Sequence, residues 1–300
     1  MGILVPGLAA LYSGAPAGIM PGCEGVMSTI EIMPAGLTRE ETEDLKRAIA
    51  CLEGSSFAQR LTDAIGRPVA VLGLRLPLPA RRVVAYASER ALRGALKLAL
   101  RTIDLRGSAG RSANRAHKLA AAASGALGGA FGLAALPVEL PLSTTILLRS
   151  IAEIAREEGE DLAAPQAALA CIEVFGLGGK QDEEAMFESG YFAVRAALAK
   201  SVTDSARFVA SQGAVTQSAP VVVRFIPQIA ARFGVVVSEK MAAQAAPVIG
   251  AIGGAAVNAV FAEHFQTLAR GHFIVRRLER EHGPSLVAFE YQRLRGEARA

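Results

Sequence analysis

Apolar residues recur along this chain at three- and four-residue intervals and rarely alternate, which predicts helices and no persistent strand. Thr38-x-x-Glu41 has the form of a capping box. Leu45, Ile49 and Leu52 behind it predict a helix running towards Glu53. Gly54-Ser55-Ser56 breaks that helix and opens a short second one ending near Gly66. Beyond a connector over Pro68–Pro79, Ala80–Leu105 reads as one long amphipathic helix. Leu92, Leu96, Ala99 and Ile103 line one face, and Arg90, Arg93, Lys97 and Arg101 line the other. Gly107–Gly110 ends it, and Ser112 or Asn114 opens the next. Further helices are predicted at Leu142–Glu158, at Pro165–Phe175, near Glu183–Gln212, from Ala219 onward, and over His272–Arg295 with an interruption at Gly283-Pro284. The β-branched runs Val221–Val223 and Val235–Val237 are short, and both read as helical.

Two segments carry no charge at all. Leu119–Val138 runs for 20 residues between Lys118 and Glu139, and Met241–Ala262 for 22 between Lys240 and Glu263. Each contains the same small-residue echo, Gly125-Ala-Leu-Gly-Gly-Ala130 and Gly250-Ala-Ile-Gly-Gly-Ala255. Gly125, Gly128, Gly129 and Gly132, with Gly250, Gly253 and Gly254, leave helical faces bare enough for two backbones to approach. The expectation is an all-α, compact multi-helix bundle around these two Gly/Ala-rich apolar helices. Both segments are long enough to cross a hydrocarbon layer. Yet 13 of the 20 residues in the first are Ala, Gly or Ser, and the second holds Gln244, Pro247 and Asn258. Such residues supply little insertion energy or oppose it. Buried core helices and membrane-inserted helices both remain open on this pattern.

Composition narrows the setting. Hydrophobic residues make up 51% of the 300 positions, aromatics only 5%, and there is no Trp, so the core is mostly Ala, Leu, Val and Ile. Cys23, Cys51 and Cys171 are widely spaced and form neither a metal pair nor a disulfide framework, which suits a reducing compartment. Residues 1–37 contain seven glycines and four prolines, lack a cation before Arg39, and read as an irregular segment preceding a helical domain over 38–295. A translation start at Met27 or Met33 fits the same pattern. The net charge of +4 conceals a segregation. Eleven Lys or Arg face two acids between Arg75 and Lys118, and eleven acids face three cations between Glu139 and Glu188. The basic helix suits an anionic membrane surface, a solvated face, or docking on the acidic half of the same chain. No nucleic-acid recognition motif accompanies it.

Candidate chemistry is sparse. Glu139 stands between Leu136-Pro-Val and Leu140-Pro-Leu, where a charge is unexpected. Arg149 and Glu153 are helical neighbours, and Thr144 and Thr145 can face the same way as Arg149. With Asn258 and His264 these residues are candidates for a buried polar cluster. His264 and His272, eight apart, could reach a common site, but no His-Glu-x-x-His pattern or cysteine pair completes a metal shell, so no metal and no cofactor is expected. Gly176-Leu-Gly-Gly-Lys180 is not a phosphate loop, because Val174 stands where the first glycine belongs and Gln181 follows the lysine. Neither a Gly-x-Ser-x-Gly elbow nor a nucleophile motif around Cys171 is present.

The segment LPVELPLSTTILLRSIAEIAREEGEDL leading into CIEVFGLGG, and the later ARFGVVVSEK, APVIGAIGGAAVN and FAEHFQTLARGHFIVRRLER, resemble the EcsC protein family. The resemblance covers Thr38 to Tyr291, strongest over Gly125–Gly179 and Arg232–Leu278. It implies a helical accessory protein, named after operons that encode an ABC transporter, and it carries no catalytic residues across. The leading expectation is a cytoplasmic protein at the inner face of a bacterial membrane, with Arg90, Arg93, Lys97 and Arg101 on anionic lipid and a transporter or other membrane protein as partner. A soluble protein binding a fatty acyl chain or lipid, with Arg149 at the headgroup, is the alternative. A hydrolase using Glu139 or Glu153 with His264 is a third reading.

Overall fold

The computed structural model describes residues 36–65, 76–101, 136–179, 190–212, 219, 224–244 and 250–298. Among the described residues there are nine helices and no strand: α1 (Arg39–Glu53), α2 (Phe57–Ile65), α3 (Leu78–Arg101), α4 (Leu136–Glu157), α5 (Pro165–Leu177), α6 (Tyr191–Gln212), α7 (Ile226–Gln244), α8 (Gly250–His282) and α9 (Pro284–Glu297). The expectation of an all-α bundle holds. Residues 1–35, Val221–Val223 and the first Gly/Ala echo, Gly125–Gly132, lie outside the described residues, as does any pairing of the two echoes.

Local chemistry sets the helix ends. Thr38 caps α1: the Glu41 backbone N–H donates to Thr38 Oγ1 at 3.2 Å, and the Glu41 carboxylate accepts from the Thr38 N–H at 2.7 Å. Gly283, at φ +85°, ends α8 in a conformation that L side chains avoid, and Pro284 then opens α9, needing no N–H partner there. The α4 boundary differs from expectation. Its prolines read as breakers, yet the helix starts at Leu136 and runs through both Pro137 and Pro141. Pro137 sits in the first turn, where an N–H would be unsatisfied anyway, and Pro141 forfeits only the bond to the Pro137 carbonyl. Glu139 is thereby a helical residue rather than part of a connector.

The described parts of the second uncharged segment fall at the end of α7 (Ile226–Gln244) and the start of α8 (Gly250–His282), and residues 245–249 lie outside the described residues. The apolar length is shared between two helices, and no described helix is long and apolar enough to cross a membrane.

Most deeply buried is α5, in which every residue from Ala167 to Leu177 is buried. A helix apolar on all sides has to be enclosed, and α5 packs against α3, α4, α6, α7 and α8. At its far end Phe175 meets Phe233 of α7 at 5.2 Å and Phe265 of α8 at 5.3 Å between ring centroids. Phe261 extends the cluster to Phe57 of α2. Edge and tilted ring contacts of this kind each contribute ~1 kcal/mol beyond burial. Around this centre α3 packs along α4 and α7, while α1 lies against α8 and α9.

Candidate functional site

The outward face of α3 carries a straight stripe at three- and four-residue steps: Leu78, Arg82, Tyr86, Arg90, Arg93 and Lys97, all exposed. Leu78 is 72% and Tyr86 59% exposed. The opposite face (Val84, Ala87, Ala91, Leu92, Ala95, Leu96) is buried in the core. Arg90 donates to the Tyr86 hydroxyl at 3.3 Å, and Arg93 pairs with Glu89. Arg101 is the last residue of α3, and its side chain lies outside the described residues. The apolar face of this helix is therefore already occupied by the core.

Acidic residues of the α4–α5 turn do not dock on α3. Gly159, at φ +77°, makes the turn that presents Glu158 and Glu160 to α8. Arg276 holds Glu160 through two bonds of 2.7 and 3.2 Å, and Arg280 also pairs with it. Arg277 bridges Glu158 at 2.9 Å and Asp44 of α1 at 2.6 Å. Glu158 and Glu160 are thus paired with the basic stretch of α8.

A second polar feature is buried. Lys240, fully enclosed on α7, donates to Glu139 of α4 at 2.7 Å and lies 4.8 Å from the centroid of Phe261. Desolvation holds the ammonium below its ordinary pKa, against the pull of Glu139. Glu139 thus meets a lysine, not the threonines or Arg149. Thr144 is fully buried, with a hydroxyl that has no hydrogen-bond partner among the described residues. Thr145 is half-buried and donates to the Pro141 carbonyl at 2.8 Å. Arg149 is exposed and so stands outside any buried cluster, and Glu153 is half-buried. Asn258 is buried, with both amide atoms unpartnered among the described residues. His264 packs against Phe57 and Phe265, each 5.3 Å away, with Gly178 beside its Nε2. Gly250, Gly253 and Gly254 fall in the opening turns of α8, where Gly254 is buried.

The third feature lies where α5, α6 and α8 meet. The Tyr191 hydroxyl is 2.9 Å from His272 Nδ1, and Arg195 grips Glu279 through bonds of 2.7 and 3.0 Å while lying over the Tyr191 and Phe192 rings. Glu173, buried on α5, faces Arg195 and Arg276, and burial raises its pKa. Burial also drives the His272 imidazole well below its ordinary pKa, with Arg195 and Arg276 adding to the effect. His264 and His272 therefore serve different surroundings rather than a common site. Among the described residues one trio of potential metal ligands converges, Glu41, Glu281 and His282. Its Glu41 already caps α1 and meets His282 Nε2 at 2.7 Å.

The model of the EcsC protein family matches residues 28–278, well over half of the chain. The chain belongs to the EcsC protein family. The match begins ten residues before Thr38 and ends ahead of α9, so both limits differ from those expected, and part of the segment thought to lie outside the resemblance is inside the family domain. No curated protein and no solved structure matches this EcsC protein. Lys240, Glu173, Tyr191 and Arg195 were missed in the sequence. For Lys240 and Glu173 a signal exists: each is a lone charge at the edge of or within an apolar run, the same signal that singled out Glu139.

Proposed function

We propose that this EcsC protein docks peripherally on an anionic lipid surface at the inner face of a membrane, through the outward face of α3. The observation that carries the reading is that Arg82, Arg90, Arg93 and Lys97 stay on the surface while Glu158 and Glu160 are paired with arginines of α8. Leu78 and Tyr86 on the same stripe offer an aliphatic contact and an interfacial ring. At roughly 1 kcal/mol per cation, with Arg93 discounted for Glu89, the stripe contributes about 3 kcal/mol. Contact of that strength is reversible and suits an accessory role beside a membrane protein, with a transporter as the partner we infer from the family.

Flotation with anionic and neutral liposomes tests this directly. Binding restricted to anionic liposomes and lost in high salt supports the reading. In the variant Arg90→Gln/Arg93→Gln/Lys97→Gln it drops severalfold or more. Unchanged flotation of that variant refutes the assignment, and flotation that survives salt and an alkaline carbonate wash would place inserted segments, not α3, in control.

A further inference from the structure

Among the described helices, α6 has one extensive neighbour, α5; it is further held by Tyr191 and Arg195 of its first two turns against α8, and by Ser201, which bonds Gln228 of α7 at 2.9 Å. The Tyr191 hydroxyl lies 2.9 Å from His272 Nδ1, and with the hydroxyl as donor the imidazole proton sits on Nε2, a buried atom with no partner among the described residues. A second proton would sit on Nδ1, facing the hydroxyl that now donates to it, so the bond survives only if the hydroxyl turns its own hydrogen into the surrounding rings.

The charges around this bond come from every packed element, and most cancel in pairs. From α6, Arg195 is held by Glu279 of α8; Arg276 of α8 is held by Glu160 of the α4–α5 turn. Glu53 of α1 accepts from the Tyr191 N–H at 3.3 Å and from the Tyr291 hydroxyl at 3.1 Å, with Arg295 of α9 beside it at 3.5 Å. Among the described residues, two titratable groups here have no ion pair of their own, Glu173 on α5 and His272 on α8.

We propose that the first turn of α6 is a proton-operated latch, closed over an uncharged Glu173 and an uncharged His272 and released when either becomes charged. Burial favours the neutral form of both groups, raising the Glu173 pKa from 4.5 and lowering that of His272 well below 6.5. For His272 the closed state is fully stable above pH 6.5 and weakens as pH falls below it. For Glu173 the sign reverses: the closed state is fully stable below pH 4.5 and weakens as pH rises above it. Between those values opening lets Glu173 release a proton while His272 takes one up, so the two responses offset. Removing either group unmasks the other.

Amide hydrogen exchange of Phe192–Leu198, corrected for intrinsic rates, reads the opening equilibrium. In Glu173→Gln, opening rises by up to about tenfold per pH unit as pH falls below 6.5. In His272→Gln, which keeps an acceptor for Tyr191 but does not titrate, it rises by up to about tenfold per unit as pH climbs above 4.5. The double variant is flat, and exchange of α1 and α5 stays unchanged throughout. Tyr191→Phe leaves both titrations in place and raises opening at every pH with the wild-type slope. The proposal fails if the single variants keep the wild-type pH response, or if α1 and α5 lose protection in step with α6.

Discussion

Removing one partner of the Lys240–Glu139 pair should be far worse than removing both. In Lys240→Met the carboxylate of Glu139, with a side chain 6% exposed, keeps its burial and loses its ion pair with Lys240. Breaking a buried pair in this way costs roughly 3–5 kcal/mol. Glu139→Leu mirrors it, stranding a fully enclosed ammonium whose remaining support is the Phe261 ring at 4.8 Å, worth about 2 kcal/mol when desolvated. The double variant Glu139→Leu/Lys240→Met removes both desolvation penalties and fills the space with apolar atoms. It should lie within about 1 kcal/mol of the wild type or exceed it by roughly 1–4 kcal/mol. Urea unfolding followed by helical circular dichroism gives the four free energies of the cycle. Additive losses in the double variant, or a single-variant loss under ~1 kcal/mol, would refute the reasoning.

Gly271→Ala should destabilise by about 1–3 kcal/mol in thermal melts, because its Cβ would fall 2.7 Å from Leu52 Cγ and 2.9 Å from the Ala48 carbonyl oxygen of α1. Gly94→Ala, with nothing within 4 Å on α3, should instead stabilise by roughly 0.5–1 kcal/mol. Thr38→Ala should cost about 0.5–2 kcal/mol and lift the Glu41 carboxyl only part of the way from its depressed pKa of about 2, since it removes the hydroxyl's hydrogen bond but keeps the larger contributions of the residue-38 backbone N–H and His282. Proton titration by NMR reads the change; in the wild type, Glu41's contribution is full above pH 4.5 and fades as pH falls towards 2. Cys171, buried with its thiol pushed up to about 12, should resist alkylation in the native protein at mildly alkaline pH and react only after denaturation, as peptide mass spectrometry would show.

Helical periodicity, the Thr38 capping box and the Gly283-Pro284 break were legible because each rests on neighbours within a few residues. The α4 start was not, since prolines read as breakers in sequence, whereas Pro137 falls in the first turn and Pro141 forfeits a single bond. Partners across helices were equally hidden. Glu139 stood out as a charge in an apolar run, but its partner lies 101 residues away on α7. Arg149 looked like its companion because it shares a helix, yet the helix turns it to solvent. The Tyr191–His272 contact spans 81 residues and joins two residue types that carry no motif. The α3 cations were readable as a face, whereas their freedom from the acidic run depends on where α8 lies.

Because Glu158 and Glu160 are folded against Arg276, Arg277 and Arg280, one region of the surface closes on itself electrically while α3 keeps its cations. If α3 is the docking edge, as proposed, its cations would draw that edge towards an anionic surface before any residue touches. The pull would act within about 8 Å, the screening length at physiological ionic strength. Its signature would be kinetic. Salt would slow capture by reducing the fraction of encounters that arrive correctly turned, while dissociation, governed by contacts already made, would change much less.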